Sequence, residues 1–141
     1  SGSAGMVMGA AAMAAATKAA QGAALEECHV AALDSIGRAA TWLYLHSIED
    51  MRRSGRMSAA TAMLSTALLA TKPIMSIVDG KLELVGKTRT QTKAFTKVVE
   101  IIAARAAGEP AFIAIQHNQA GEAADKLQGL LRDALPEGVF P

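Results

Sequence analysis

The chain has 141 residues, 51% of them apolar but only 4% aromatic, with a formal net charge of +1. That length supports one compact domain, whose core must be built from Ala, Leu, Ile, Val and Met instead of rings. The near-neutral balance excludes a global field that would draw the protein onto nucleic acid or an anionic membrane, and the single cysteine, Cys28, excludes an internal disulfide.

Seven methionines suit gap-filling in such a core, and equally a surface moulded to an irregular apolar partner. One unpaired cysteine fits a reducing compartment, so a cytoplasmic location is expected. The longest stretch of low charge, Gly5 to Thr17, is Ala- and Gly-rich and ends at Lys18. It is too short to cross a bilayer and has no basic region ahead of it. The chain opens at Ser1 instead of Met, which points to an internal boundary or an added tag.

In chain order, Ala4 to Ala20 lacks Pro and is rich in Ala and Met, which predicts a helix, with Gly22 as its stop. A second helix is expected over Leu25–Ala39, with Glu26 and Glu27 complementing its dipole. Its positions Val30, Leu33, Ile36 and Ala40 fall on one stripe. Thr41 to His46 (TWLYLH) is rich in β-formers and predicts a strand. Ile48 to Arg53 could make two helical turns, broken at Ser54-Gly55. Ser58 to Thr71 predicts a helix that is apolar nearly all round, hence buried or facing a ligand, and ended by Pro73.

Ile74 to Val78 and Lys81 to Val85 are strand-like runs joined by Asp79-Gly80. This is the preferred two-residue hairpin turn, because both positions need positive φ. Thr90 can cap a helix running to Ala107, with Phe95, Val98, Val99, Ile102 and Ala106 at helical spacing. Ala111 to Gln116 (AFIAIQ) reads as a buried strand, and Ala120 to Ala134 as a last helix. The expected fold is therefore α+β: a mixed sheet with a β-hairpin packed by helices, preceded by an Ala-rich helix pair. A boundary is expected near Ala40, dividing a helical segment (1–40) from a strand-bearing part (41–141).

No metal-ligand spacing, nucleophile elbow, Walker loop or dinucleotide fingerprint is present. The histidines His29, His46 and His117 stand far apart. Two basic spots remain: Arg52-Arg53-Ser54-Gly55-Arg56, leading into the apolar helix at Ser58, and Lys87-Thr88-Arg89-Thr90. Guanidinium groups beside free backbone N–H groups hold carboxylate or phosphate well, although arginines in loops are more often simply solvated. His117 ends its strand where α/β folds place ligands, but structural histidines are commoner still.

The order Arg53-Ser54-Gly55-Arg56-Met57-Ser58, apolar helix, Lys72-Pro73-Ile74, Asp79-Gly80-Lys81 hairpin and Gly86-Lys87-Thr88-Arg89 resembles the middle of DegV-family proteins. The family pattern there is R-x-G-R-I-S, K-P-I, D-G-K and G-K-x-R; Met57 stands in place of its usual Ile. Ile113-Ala114-Ile115-Gln116-His117 and the small-residue helix after Gly5 are similar to further family segments. Together they span essentially the whole chain.

The resemblance implies a carrier for one long-chain fatty acid, with no cofactor and no metal, that does not catalyse a reaction by itself. In some bacteria such carriers present the acyl carboxylate to a separate fatty-acid kinase. Arg56, Ser58, Arg89 and His117 are the expected head-group or anion-binding residues. Met57, Met63, Leu64 and Leu68 are the expected tail lining. Full family members are about twice as long, so the chain is expected to be truncated at both ends. The family's N-terminal lipid-carboxylate residues and its H-x-G-P-G segment are missing from it. Weak lipid binding and self-association through exposed apolar surface are therefore expected, without nucleic acid or stable membrane insertion. The alternatives are a small enzyme of unrecognised type, or a domain that dimerises through its Ala-rich helices.

Overall fold

The computed structural model describes residues 4–47 and 70–141 of the chain. Helix α1 (Met6–Ala20) is Ala-rich and Pro-free, and it stops where Gly22 takes a φ of 78°. Gly22 N donates to Ala19 O at 3.0 Å and Ala23 N to Lys18 O at 3.1 Å. These two bonds satisfy carbonyls that the helix end would otherwise orphan, and glycine is the residue that tolerates the left-handed turn they need. Helix α2 (Leu25–Arg38) begins with the Glu27 carboxylate accepting the Ala24 N–H at 2.9 Å. Asp34 and Arg38 form an exposed ion pair one turn apart, worth only a few tenths of a kcal/mol.

The two helices pack against each other. The stripe read from α2 does not find a core: Val30 and Leu33 are exposed, as are Leu25, Met8 and Met13. Ala11 alone is buried in α1, and no residue of α2 is.

Among the described residues three strands form an antiparallel sheet in the order β1 (Trp42–Tyr44), β2 (Lys72–Val78), β3 (Lys81–Thr88). The hairpin turn has the predicted geometry, with φ of 49° at Asp79 and 77° at Gly80. The β2–β3 register shifts between Ile74↔Gly86 and Met75↔Leu84, which leaves Val85 as the extra residue of a bulge. Pro73 lies inside β2, the middle strand. It is tolerated because it stands second in the strand, where its carbonyl still accepts from Leu45 N at 3.2 Å. The helix expected to end at Pro73, and the short one expected over Ile48–Arg53, lie outside the described residues.

Helix α3 (Gln91–Ala106) is capped by Thr90, whose hydroxyl accepts from Lys93 N at 3.3 Å. It ends at Ala107 and Gly108, both in the left-handed region. One face sets Ala94 and Val98 against Ile74 of β2. There Ile74, Ala94 and Val98 form a core joined by Tyr44, Ile102 and Leu127. Burying a ring such as Phe95 contributes about 2–3 kcal/mol, and Tyr44 meets it edge-on with centroids 5.1 Å apart.

The other face of α3 packs on a second core of Ile113, Leu131 and Leu135, reached by Val99, Ile102 and Ala106. Leu131 belongs to helix α4 (Gly121–Ala134). The run Ala111–Gln116, expected as a strand, is extended but joins no named strand. Among the described residues its pairing is a single parallel bridge, Phe112↔Val139, with Ile113 N to Val139 O at 2.9 Å and Val139 N to Ala111 O at 2.8 Å. Its apolar content reflects Ile113 facing the helices, not a place in the sheet. The fold is α+β as expected. Among the described residues the named strands all run antiparallel, and the parallel direction enters only at that bridge.

Candidate functional site

Of the residues expected to hold a ligand, Arg56, Met57, Ser58, Met63, Leu64 and Leu68 lie outside the described residues. Arg89 and His117 are described, and both are exposed. Arg89 occupies the turn between β3 and α3, beside Thr88, whose hydroxyl donates to Thr90 O at 2.9 Å. His117 follows the extended run, and its Nδ1 accepts the Ala120 N–H at 3.2 Å. That bond satisfies a donor at the start of α4.

The segments carrying these two residues converge. A cavity of about 520 Å³ opens where α3 and α4 begin, lined by Gln91, Gln119, Ala120, Gly121, Glu122 and Lys126 among others. Lys126 Nζ donates to Thr92 Oγ1 at 3.4 Å, tying the two helix starts together. Neither Arg89 nor His117 lines this cavity, and its wall is polar, not the Met- and Leu-rich surface expected beside the head group.

A second concavity, about 270 Å³, lies between β3 and α3. Lys87, Thr88, Lys93, Thr96, Lys97 and Glu100 surround it over Gly86, and Lys97 Nζ sits 3.3 Å from Glu100. Lys87 belongs to a basic loop legible in the sequence, whereas Lys93 and Lys97 lie outside both basic loops. The signal was there as two lysines four apart on a helix. Among the described residues, no group of three or more His, Cys, Asp or Glu side chains could hold a metal. No helix among them is long and apolar enough to cross a membrane.

An antiparallel sheet covered on one side by α3, with an Ala-rich helix pair ahead of it, defines an α+β domain. A family model described as "Uncharacterised protein, DegV family" matches residues 1–140. The chain belongs to the DegV family.

A DegV domain-containing protein from Corynebacterium glutamicum is 58% identical over 134 residues, 95% of this chain and 48% of that protein. A crystal structure of a DegV family protein from the same organism superposes with a TM-score of 0.93 at 56% identity, covering 99% of this chain and 53% of the other. The Bacillus subtilis structure described as DegV, a fatty acid binding protein, gives a TM-score of 0.78 at 25% identity, over 96% of this chain and 49% of that one. A Streptococcus pneumoniae Fatty Acid Kinase (Fak) B3 protein loaded with linoleic acid shares the fold with a TM-score of 0.75 at 19% identity, over 89% and 44%. The chain thus spans about half the length of the curated relatives it matches.

Proposed function

We propose that this chain is the C-terminal part of a fatty-acid carrier. The observation that carries the reading is the match of nearly the whole chain to the fold of a DegV protein described as fatty acid binding, within a family match over residues 1–140. Arg56, Ser58, Arg89 and His117 take the anionic head group. Met57, Met63, Leu64 and Leu68 line the tail. Each methylene moved out of water is worth about 0.8 kcal/mol, so a sixteen-carbon chain supplies on the order of 10 kcal/mol before ordering costs. A carrier of this kind needs no catalytic group of its own, and a separate fatty-acid kinase would act on the presented carboxylate. A cytoplasmic setting follows from that partnership.

Residues 1–40 and 41–141 are proposed to belong to different units of the longer protein. The exposure of Met8, Met13, Leu25, Val30 and Leu33 along α1 and α2 supports this, since so many apolar side chains on one helix pair ordinarily meet a partner surface. In the chain by itself, that face is proposed to drive self-association.

Titration with a fluorescent fatty acid tests the reading. A polypeptide extended to the length of the relatives is expected to bind at submicromolar concentration and to carry palmitate- or oleate-sized masses in native mass spectrometry. The 141-residue chain is expected to bind weakly or not at all, because half a cleft buries much less tail. An extended polypeptide that purifies empty and takes up no lipid overturns the proposal.

A further inference from the structure

The groove between β3 and α3 has a chemistry that the lipid reading does not use. Its rim carries three lysines, Lys87 from the strand and Lys93 and Lys97 from the helix, against one carboxylate, Glu100. Glu100 is committed to Lys97 at 3.3 Å, and among the described residues neither Lys87 nor Lys93 has an ion-pair partner. Positive charge is therefore left over at the rim of a concave surface of about 270 Å³. Lysines on an outermost strand often serve only to discourage edge pairing. That accounts for Lys87 on β3, an outer strand of the sheet among the described residues, but not for Lys93 and Lys97, which come from the helix across the groove.

The spacing identifies the occupant. Lys93 and Lys97 are one helical turn apart, about 6 Å along the axis. Alternate residues of an extended chain are about 6.6 Å apart and face the same way. We infer that this groove docks an extended acidic segment of another protein, with carboxylates at alternate positions paired to Lys93 and Lys97. Glu100 stands at the far end and competes for Lys97, so it tempers the affinity and sets the register. An anionic membrane would meet the same lysines, but a concave site suits an inserted chain better than a flat bilayer surface.

Fluorescence anisotropy at low ionic strength, where exposed ion pairs are least screened, tests this with two labelled peptides of one composition. One has glutamates at alternate positions and the other has them in a block. The alternating peptide is expected to bind more tightly to the 141-residue chain. Lys93→Glu and Lys97→Glu should each weaken it about fivefold, and Glu100→Gln should tighten it about twofold. Lys18→Glu, on the far helix pair, should leave it unchanged. Equal binding of the two peptides overturns the inference, as does equal loss with Lys18→Glu. So does Lys93-dependent binding to phosphatidylglycerol vesicles without binding of the alternating peptide.

Discussion

The side-chain carbonyl of Gln116 accepts a hydrogen bond from the backbone N–H of Met6 at 3.0 Å, across 110 positions of sequence. It supplies from a distance the cap that α1 lacks locally, since the residue ahead of the helix is Gly5, with no side chain to offer. Gly5 has a φ of 63° and ψ of −141°, a conformation open in practice only to glycine. A Cβ there would also run into the Gln116 side chain. At the other end of the pair, Arg105 Nη2 donates to Arg38 O at 3.0 Å and ties the end of α2 to α3.

Gly5→Ala is therefore expected to cost about 1–3 kcal/mol through backbone strain, and Gln116→Ala about 1 kcal/mol through one lost bond. Hydrogen exchange in α1 should quicken in both variants while α3 is unchanged. Equal quickening in the two helices would show that the bond does not act locally.

His117→Ala removes the acceptor for Ala120 N–H at the start of α4. A loss of about 1 kcal/mol is expected, read as a lower thermal midpoint. His117→Asn should restore much of it, because a short polar side chain can accept the same bond. If Asn restores stability but lipid uptake by an extended polypeptide stays impaired, the imidazole serves the ligand as well as the helix.

The Tyr44 hydroxyl is buried with no hydrogen-bond partner among the described residues, while its ring packs edge-on against Phe95. Tyr44→Phe keeps the ring contact and removes an unsatisfied polar atom. Denaturant unfolding is expected to show no loss, or a gain of up to about 1 kcal/mol. Tyr44→Ala should cost about 3 kcal/mol or more by opening a cavity in the Ile74–Val98 core. A substantial loss in the Phe variant would mean that the hydroxyl has a partner in solution.

Gly80 holds a φ of 77° in the two-residue turn that sets the β2–β3 register. Gly80→Ala is expected to destabilise by about 1 kcal/mol. Asp79→Asn should be close to neutral, since Asn accepts positive φ equally well. Chemical denaturation of the two variants separates these outcomes.

The locally encoded features were legible in the sequence. Asp79-Gly80 specified its hairpin, Thr90 its cap, Gly22 the end of α1, and the period of Phe95, Val98 and Ile102 the buried faces of α3. Each depends on backbone conformation or side-chain spacing within one or two turns of chain, so neighbouring residues suffice to determine it. The ordered motifs from Arg53 to Arg89 also carried the family, because they recur in fixed sequence.

Tertiary structure decided what depends on distant segments meeting. Val30 and Leu33 form an apolar stripe, yet only packing determines whether a stripe is covered, and here it is exposed. Ala111–Gln116 has the composition of a strand, but a strand exists only where a partner offers backbone groups, and among the described residues Val139 alone does so. Gln116 looked like the end of a strand and proved to be the cap of a helix 110 positions earlier. A hydrogen bond or a buried face is a property of two surfaces in contact, and the linear chain states only one of them at a time.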